Sequence, residues 1–267
     1  MKLSVIGRGI RPWEHLTLAG LRALKNADVV LGIEPDNGAW QALSQEFSLP
    51  AIKSIDFLYR DGATDSENYK AFVAFVADVC TQYENVALVV AGHPRLGVSV
   101  SQWFSSNALP ADIEVEFIEG ISSFDAMFND LACDPLEKGT LVVDANRLLL
   151  FNYVLDPAVD TFIYHVSSVG NVRTDFIDCT RSNRLTWLAR YLSEYFPPDK
   201  KIVLCKAANK TGDDAEYVEI TLDSLVENSK QIDPGTTLFI AGEKPKQLNP
   251  KFLNQLRSSH DSAAVYC

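Results

Sequence analysis

The chain has 267 residues, 47% of them hydrophobic, and its 24 Lys and Arg stand against 35 Asp and Glu for a formal charge of −11. That length supplies one large domain or two of roughly 120 to 150 residues, and the apolar fraction excludes wholesale disorder. The acid excess opposes a nucleic-acid footprint, which needs clustered Lys and Arg, and it opposes docking on anionic lipid.

In chain order, Val5-Ile6 ends a buried strand that breaks at Gly7-Arg8-Gly9. Thr17 is a cap for a helix with Leu18, Leu21 and Leu24 on its apolar face. Asp28 to Gly32 reads as a second strand, and Ser66 to Tyr83 has helical periodicity through Tyr69, Phe72, Val73, Val76 and Val79. Val86 to Ala91 is a strand that breaks at Gly92-His93-Pro94. Ser99 to Phe104 begins a helix, and Ile113 to Phe117 alternates like a strand wet on one face. This alternation predicts a parallel, doubly wound sheet. In such a sheet ligands bind at the carboxyl ends of strands, so the two glycine turns predict one small-molecule cleft built from several loops.

Gly120-Ile121-Ser122-Ser123 opens a further helix with Phe124, Met127, Phe128 and Leu131 at helical spacing, and marks a hinge. Beyond it, Leu141 to Val143, Thr161 to Tyr164, Lys201 to Cys205, Tyr217 to Thr221 and Thr237 to Ile240 read as strands. Arg184 to Phe196 is an amphipathic helix stopped by Pro197-Pro198. The pattern predicts an α/β chain of two α/β domains, residues 1–118 and 119–245, with a mixed second sheet and a short helix and tail over 246–267.

Of the five cysteines, Cys80, Cys133, Cys179, Cys205 and Cys267, none forms a C-x-x-C pair. Neither a disulfide framework nor a metal site is expected, and Cys205 reads as a core thiol. Met1-Lys2-Leu3 leads straight into a strand without a signal-peptide core. No apolar run approaches the roughly 18 residues of a membrane span. A cytoplasmic setting is the expectation.

Several candidate residues carry two readings. Gly7-Arg8-Gly9 lacks the third glycine of a dinucleotide fingerprint, so it is a tight turn or a ligand cradle. His93 is either an acid or base titrating near neutrality or a wall whose imidazole only satisfies hydrogen bonds. Ser122 and Ser123 cap a helix, and the same N-terminus can receive an anionic ligand group. Tyr59 and Tyr69 flank the polar loop 60–68, a candidate lid. They are substrate-handling phenols, or Tyr69 is the first core residue of its helix.

Taken together, Val5-Ile6-Gly7-Arg8-Gly9 with Leu16-Thr17-Leu18 and Ala27 to Val30, then Gly92-His93-Pro94, Gly120 to Ser123, Lys206 to Asn209 and Leu238 to Glu243 resemble the tetrapyrrole (corrin/porphyrin) methylase superfamily. These pieces follow the family's order along nearly the whole chain. Gly92-His93-Pro94 stands where uroporphyrinogen methylases have Gly-Asp-Pro. Ser122 to Leu131 followed by Asp134-Pro135, and Tyr195-Phe196-Pro197 before Ala207-Ala208-Asn209, look like the borosin backbone α-N-methyltransferases. The resemblance implies S-adenosyl-L-methionine held in a cleft between the domains by Gly7, Gly92, His93, Pro94, Ser122, Ser123, His165, Ala207 and Ala208.

The same resemblance implies a homodimer and a substrate peptide. The chain ends about 25 residues after Gly242, so the precursor is expected as a separate chain, as in split borosin systems. Tyr59 and Tyr69 match the family's loop tyrosines, whose role is to polarise the amide and help remove its proton. The arginine between them falls near Asp65 or Ser66, and Arg60 is the one arginine of the loop. Glu119 also replaces the usual proline before Gly120. The alternatives implied are the same chemistry on a tetrapyrrole carbon, or a cofactor-binding scaffold without catalysis.

Overall fold

A computed structural model describes residues 1–11, 13–33, 37–105, 108–175, 183–209, 213–244 and 248–259. Cys179, Cys267 and the end of the expected tail lie outside them. Strands β1 (Lys2–Gly7), β2 (Val29–Gly32), β3 (Ile52–Ser54), β4 (Asn85–Val90) and β5 (Glu114–Ile118) form one sheet in the order β3-β2-β4-β1-β5. Every pairing in it is parallel. Helices α1 (Leu18–Lys25), α2 (Asn37–Phe47), α3 (Asp65–Cys80) and α4 (Ser99–Ser105) connect these strands.

The central strands are apolar on both faces because both faces are covered. Leu3, Val5, Leu31, Leu88 and Val90 pack against Phe72 and Val76 of α3. Their alternates Ile6, Val30, Ala87 and Val89 pack against Leu24 of α1 and Trp40 of α2. Thr17 caps α1 by accepting the Gly20 amide, and Thr64 with Glu67 forms a capping box on α3.

The later strands β6 (Thr140–Asp144), β7 (Asp160–Tyr164), β8 (Lys201–Lys206), β9 (Glu216–Thr221) and β10 (Thr237–Ile240) form a second sheet in the order β6-β7-β10-β8-β9. Only β6 and β7 run parallel, since β10 inserts antiparallel between β7 and β8. The sheet is therefore mixed, as the sequence pattern predicts. Helices α6 (Ala145–Leu150) and α7 (Leu185–Leu192) cover one face through Leu148, Leu188 and Leu192. Helix α5 (Ser123–Asp130) covers the other, where Met127 meets Phe162, Cys205 and Phe239. Helix α8 (Pro250–Ser259) follows the last strand.

Two details depart from the sequence reading. Helix α7 stops at Leu192, short of the expected Phe196, where Ser193 Oγ donates to the Ala189 carbonyl. Elements α2, β3 and α6 appear where no element was expected. The Gly242 motif has a packing reason. Its amide donates to the buried Asp160 carboxylate at 2.6 Å, and a Cβ there would meet the Ala158 carbonyl at 2.5 Å. Burial pushes the Cys80 thiol up to about 11 and the Cys205 thiol up to about 12, which keeps both protonated. Among the described residues no helix is long and apolar enough to cross a membrane.

Candidate functional site

The two glycine turns meet each other. Gly9 and Gly92 pair as an antiparallel bridge, with Gly9 N–H donating to Gly92 O at 3.2 Å and Gly92 N–H donating to Gly9 O at 3.0 Å. Both have positive φ, +76° and +65°, a region open to glycine without strain. Gly7 and Gly120 complete the junction. A Cβ on Gly7 would lie 2.5 Å from Gly92 O, and one on Gly120 would lie 2.5 Å from Gly7 O. Three strand ends thus touch backbone to backbone, and the glycines serve this contact. His93 folds onto its own turn, its Nδ1 accepting the Arg95 amide at 3.0 Å, so that nitrogen carries no proton there.

Ser122 is buried and fully engaged as the cap of α5, its Oγ accepting the Asp125 amide at 3.1 Å. Ser123 instead turns to the second sheet, where its Oγ lies 3.1 Å from the Tyr164 hydroxyl. Burial pushes that phenol up to about 12. Ala207 packs in the same small cluster as Tyr164 and Phe124, and Ala208 is buried beside it in the chain.

The expected loop 60–68 ends at Thr64, where α3 begins with Tyr69 in its second turn, and the part before the helix is stapled to the segment after β7. Gly62 N–H donates to Thr174 O and Thr174 N–H to Ala63 O, both at 2.9 Å, and an Arg173 guanidinium nitrogen donates to Gly62 O at 2.7 Å. Asn68, fully buried, organises the loop from within. Its Oδ1 accepts the Arg60 amide at 3.1 Å, and its Nδ2 donates to Arg60 O at 3.3 Å and to Thr174 Oγ1 at 3.0 Å. Tyr59 and Tyr69 meet edge to face with ring centroids 6.4 Å apart. Tyr69 is hydrogen-bonded to Ser99 and Tyr59, and burial, helped by the nearby Asp65 charge, holds its phenol above the usual value. It is a proton donor at neutral pH.

Under this strap, at the carboxyl ends of β2, β4, β6 and β7, lies a cavity of about 410 Å³ between the two sheets. That is the position where open α/β sheets bind ligands. Tyr59, Tyr69, Asp65, Gly97, Asp144 and His165 are in its wall. His165 Nδ1 lies 2.7 Å from Asp144 Oδ2. Burial opposes ionisation of Asp144, but the His165 bond and the Arg147 amide outweigh it and hold the carboxyl below its usual range. Asp65 moves the other way, raised by partial desolvation at the cavity wall.

Of the residues picked from the sequence, the cavity wall brings together Tyr59, Tyr69 and His165. Gly7, Gly92, His93, Pro94, Ser122, Ser123, Ala207 and Ala208 lie outside that wall, as does Arg60, whose side chain is exposed. Asp144 and Asn68 escape sequence reasoning because their partners are 21 and 106 residues away. The size suits one ligand of cofactor dimensions, and the carboxylates of Asp65 and Asp144 suit a sulfonium cation. The residues present therefore fit S-adenosyl-L-methionine.

A family model for tetrapyrrole (corrin/porphyrin) methylases matches residues 2–226. The chain belongs to this family. Among curated relatives of this chain is a methyltransferase/ribosomally synthesized type II borosin cyclic peptide precursor of Phlebiopsis gigantea, 28% identical over 201 residues, 75% of this chain and 35% of that protein. A type I counterpart from Coprinopsis marcescibilis is 25% identical over 261 residues, 96% of this chain and 66% of that protein. The chain thus spans about a third to two thirds of the length of these two relatives. Its fold is that of uroporphyrin-III-C-methyltransferase from Thermus thermophilus, with a TM-score of 0.61 at 19% identity over 90% of this chain and 91% of that one. A further structure of that enzyme, complexed with S-adenosyl homocysteine, superposes with a TM-score of 0.59 at 17% identity over 90% of this chain and 92% of that one.

Proposed function

We propose that this chain is an S-adenosyl-L-methionine-dependent methyltransferase that α-N-methylates backbone amides of a precursor peptide supplied as a separate chain. The observation that carries the reading is the paired phenols of Tyr59 and Tyr69 in the wall of a cavity of about 410 Å³ at the strand ends of a methylase. The names of the borosin relatives support a peptide acceptor.

S-adenosyl-L-methionine, when bound, supplies an electrophilic methyl group. We assign its sulfonium to the cavity walled by Asp65 and Asp144, and the rest of the molecule to Ser123 and the turns at Gly7 and Gly92, with His93, Pro94, Ser122, Ala207 and Ala208 supporting them. Tyr69, kept protonated, donates to the amide carbonyl and draws electron density from the C–N bond, which makes the N–H more acidic. The strap of Gly62, Ala63 and Thr174 limits water access and orients the peptide, which lowers the entropic part of the barrier. The buried thiols of Cys80 and Cys205 support a reducing, cytoplasmic setting.

The test has two arms. Calorimetry with S-adenosylmethionine and S-adenosylhomocysteine should show saturable binding, and silence from both ligands would sink the reading. Candidate peptides offered in trans should gain mass in steps of about 14 Da, the increment of one N–H to N–CH3 replacement. Methylation of a tetrapyrrole but no peptide would favour the carbon nucleophile instead. Binding without transfer to either would favour a scaffold.

A further inference from the structure

The amide proton still needs a destination. Tyr69 is a donor, and the arginine expected between the loop tyrosines is replaced in this chain by Asp65-Ser66. We propose that His165, oriented by Asp144, is the catalytic base of this site. This assignment deepens the peptide-amide reading and depends on it.

The geometry follows from the register of two strands. Asp144 ends β6 and pairs with Tyr164 at the end of the parallel β7, so the next residue, His165, stands beside the carboxylate. The turn there is fixed. His165 takes a left-handed conformation with φ 57°, and its carbonyl accepts the Ser168 amide and hydroxyl, both at 3.1 Å. Asn146 holds the far side of the turn, accepting the Gly170 amide at 2.6 Å and donating to Ser168 O at 3.2 Å. Asp144 is pinned at both oxygens: Oδ1 accepts the Arg147 amide at 2.9 Å, and Oδ2 meets His165 Nδ1 at 2.7 Å. A carboxylate held ionised can only accept, so in the neutral ring the proton resides on Nδ1 and Nε2 keeps its lone pair. Among the described residues Nδ1 is the ring nitrogen with a hydrogen-bond partner. Nε2 stands towards Gly97, where a Cβ would lie 3.8 Å away, and both residues are in the cavity wall.

The logic is that of a carboxylate fixing an imidazole's tautomer and stabilising the imidazolium that forms. As the amide nitrogen attacks, the N–CH3 bond forms and the S–CH3 bond breaks with its electron pair remaining on sulfur. The N–H proton passes to Nε2, its bonding pair staying on nitrogen, and the imidazolium later releases the proton to water. The charged and titratable groups around the ring are Asp144 with Arg147 from α6, Asp65 from α3, the phenols of Tyr59, Tyr69 and Tyr164, and Arg173 and Asp175 from the strap. Asp65 is the rival acceptor, and the Thr174 hydroxyl donates to its Oδ1 at 3.5 Å, a longer contact than the 2.7 Å bond that orients His165.

Two measurements decide. The first needs no ligand: nitrogen-15 NMR of histidine-labelled protein at neutral pH, with His165 assigned by its loss in His165→Gln. Wild type should show the Nδ1–H tautomer, Asp144→Ala should move it to Nε2–H, and Asp144→Glu should restore it. The second is kinetic. His165→Gln should lower kcat on the accepted peptide about 10²-fold or more and abolish the rise of kcat with pH on the acid side. The Kd for S-adenosylhomocysteine should stay within about threefold, since the lost interaction belongs to the transition state. Asp144→Ala should follow with a smaller loss, and Asp144→Glu should recover part of it. An Nε2–H tautomer in wild type overturns the proposal. So does a His165→Gln variant that loses cofactor affinity but keeps kcat, or an acid limb that disappears in Asp65→Asn and survives in His165→Gln. A wild type that binds S-adenosylhomocysteine and methylates no peptide overturns the peptide reading and the proton assignment with it, while the tautomer still shows whether Nε2 is held open.

Discussion

The glycines at the strand ends and the phenols in the cavity are sensitive to single atoms for opposite reasons. Gly120 sits where a methyl group would press on two carbonyl oxygens, Gly7 O at 2.5 Å and Gly92 O at 2.6 Å. Backbone atoms cannot step aside as a flexible side chain can. Gly120→Ala should therefore destabilise the protein by about 1–3 kcal/mol, the range for overpacking, seen as a fall of several degrees in Tm. An unchanged Tm would mean the three strand ends are looser than described. Tyr69 raises the complementary case. Its ring packs edge-on against Trp103 at 6.1 Å between centroids, so Tyr69→Phe should preserve packing and remove only the hydroxyl. Methylation should fall about 10²-fold with S-adenosylhomocysteine binding intact. Full activity in both Tyr59→Phe and Tyr69→Phe would remove these residues from the mechanism.

At the scale of elements, the strap is the feature on which loop order depends. Asn68 lies at the first turn of α3, yet its amide serves a loop and a segment over a hundred positions later. Asn68→Ala leaves the Arg60 amide and carbonyl without that partner, a loss of about 1–3 kcal/mol. Limited proteolysis should cut between residues 59 and 64 faster in the variant, and equal cleavage would contradict the role given to Asn68. The alternating strands and capped helices were legible in the sequence because their signals are local. Val86 to Val90 is apolar on both faces, and Thr17 sits at the start of α1. Helix α6 was not legible, since Leu148-Leu149-Leu150 is a continuous run with no helical period. Nor was the His165–Asp144 pair, because it exists only through the parallel register of β6 and β7. Sequence reasoning found the histidine and assigned it to the cofactor. Its carboxylate partner carried no motif.

The whole molecule presents an apolar surface that its own fold leaves uncovered. Leu150, Phe151, Tyr153 and Val154, at and after the end of α6, are 76%, 54%, 46% and 79% exposed, and Trp187 on the neighbouring α7 is 61% exposed. Isolated exposed apolar residues are ordinary, but a contiguous set marks an interface. We propose that a second copy of the chain covers it. Sedimentation at micromolar concentration should give a dimer, and Phe151→Ser with Trp187→Ser should shift it towards monomer. A wild type sedimenting only at 29.6 kDa would contradict the dimer. The strap has a separate consequence for how motion can be observed. The amide protons of Gly62 and Thr174 are each locked by the opposite segment, one carried by the chain before α3 and the other by the chain after β7. Neither proton can reach solvent unless those segments part, so deuterium uptake at the two sites should rise with one shared rate constant. That pair of amides is a built-in clock for the opening of the cavity, readable without substrate or assay of turnover.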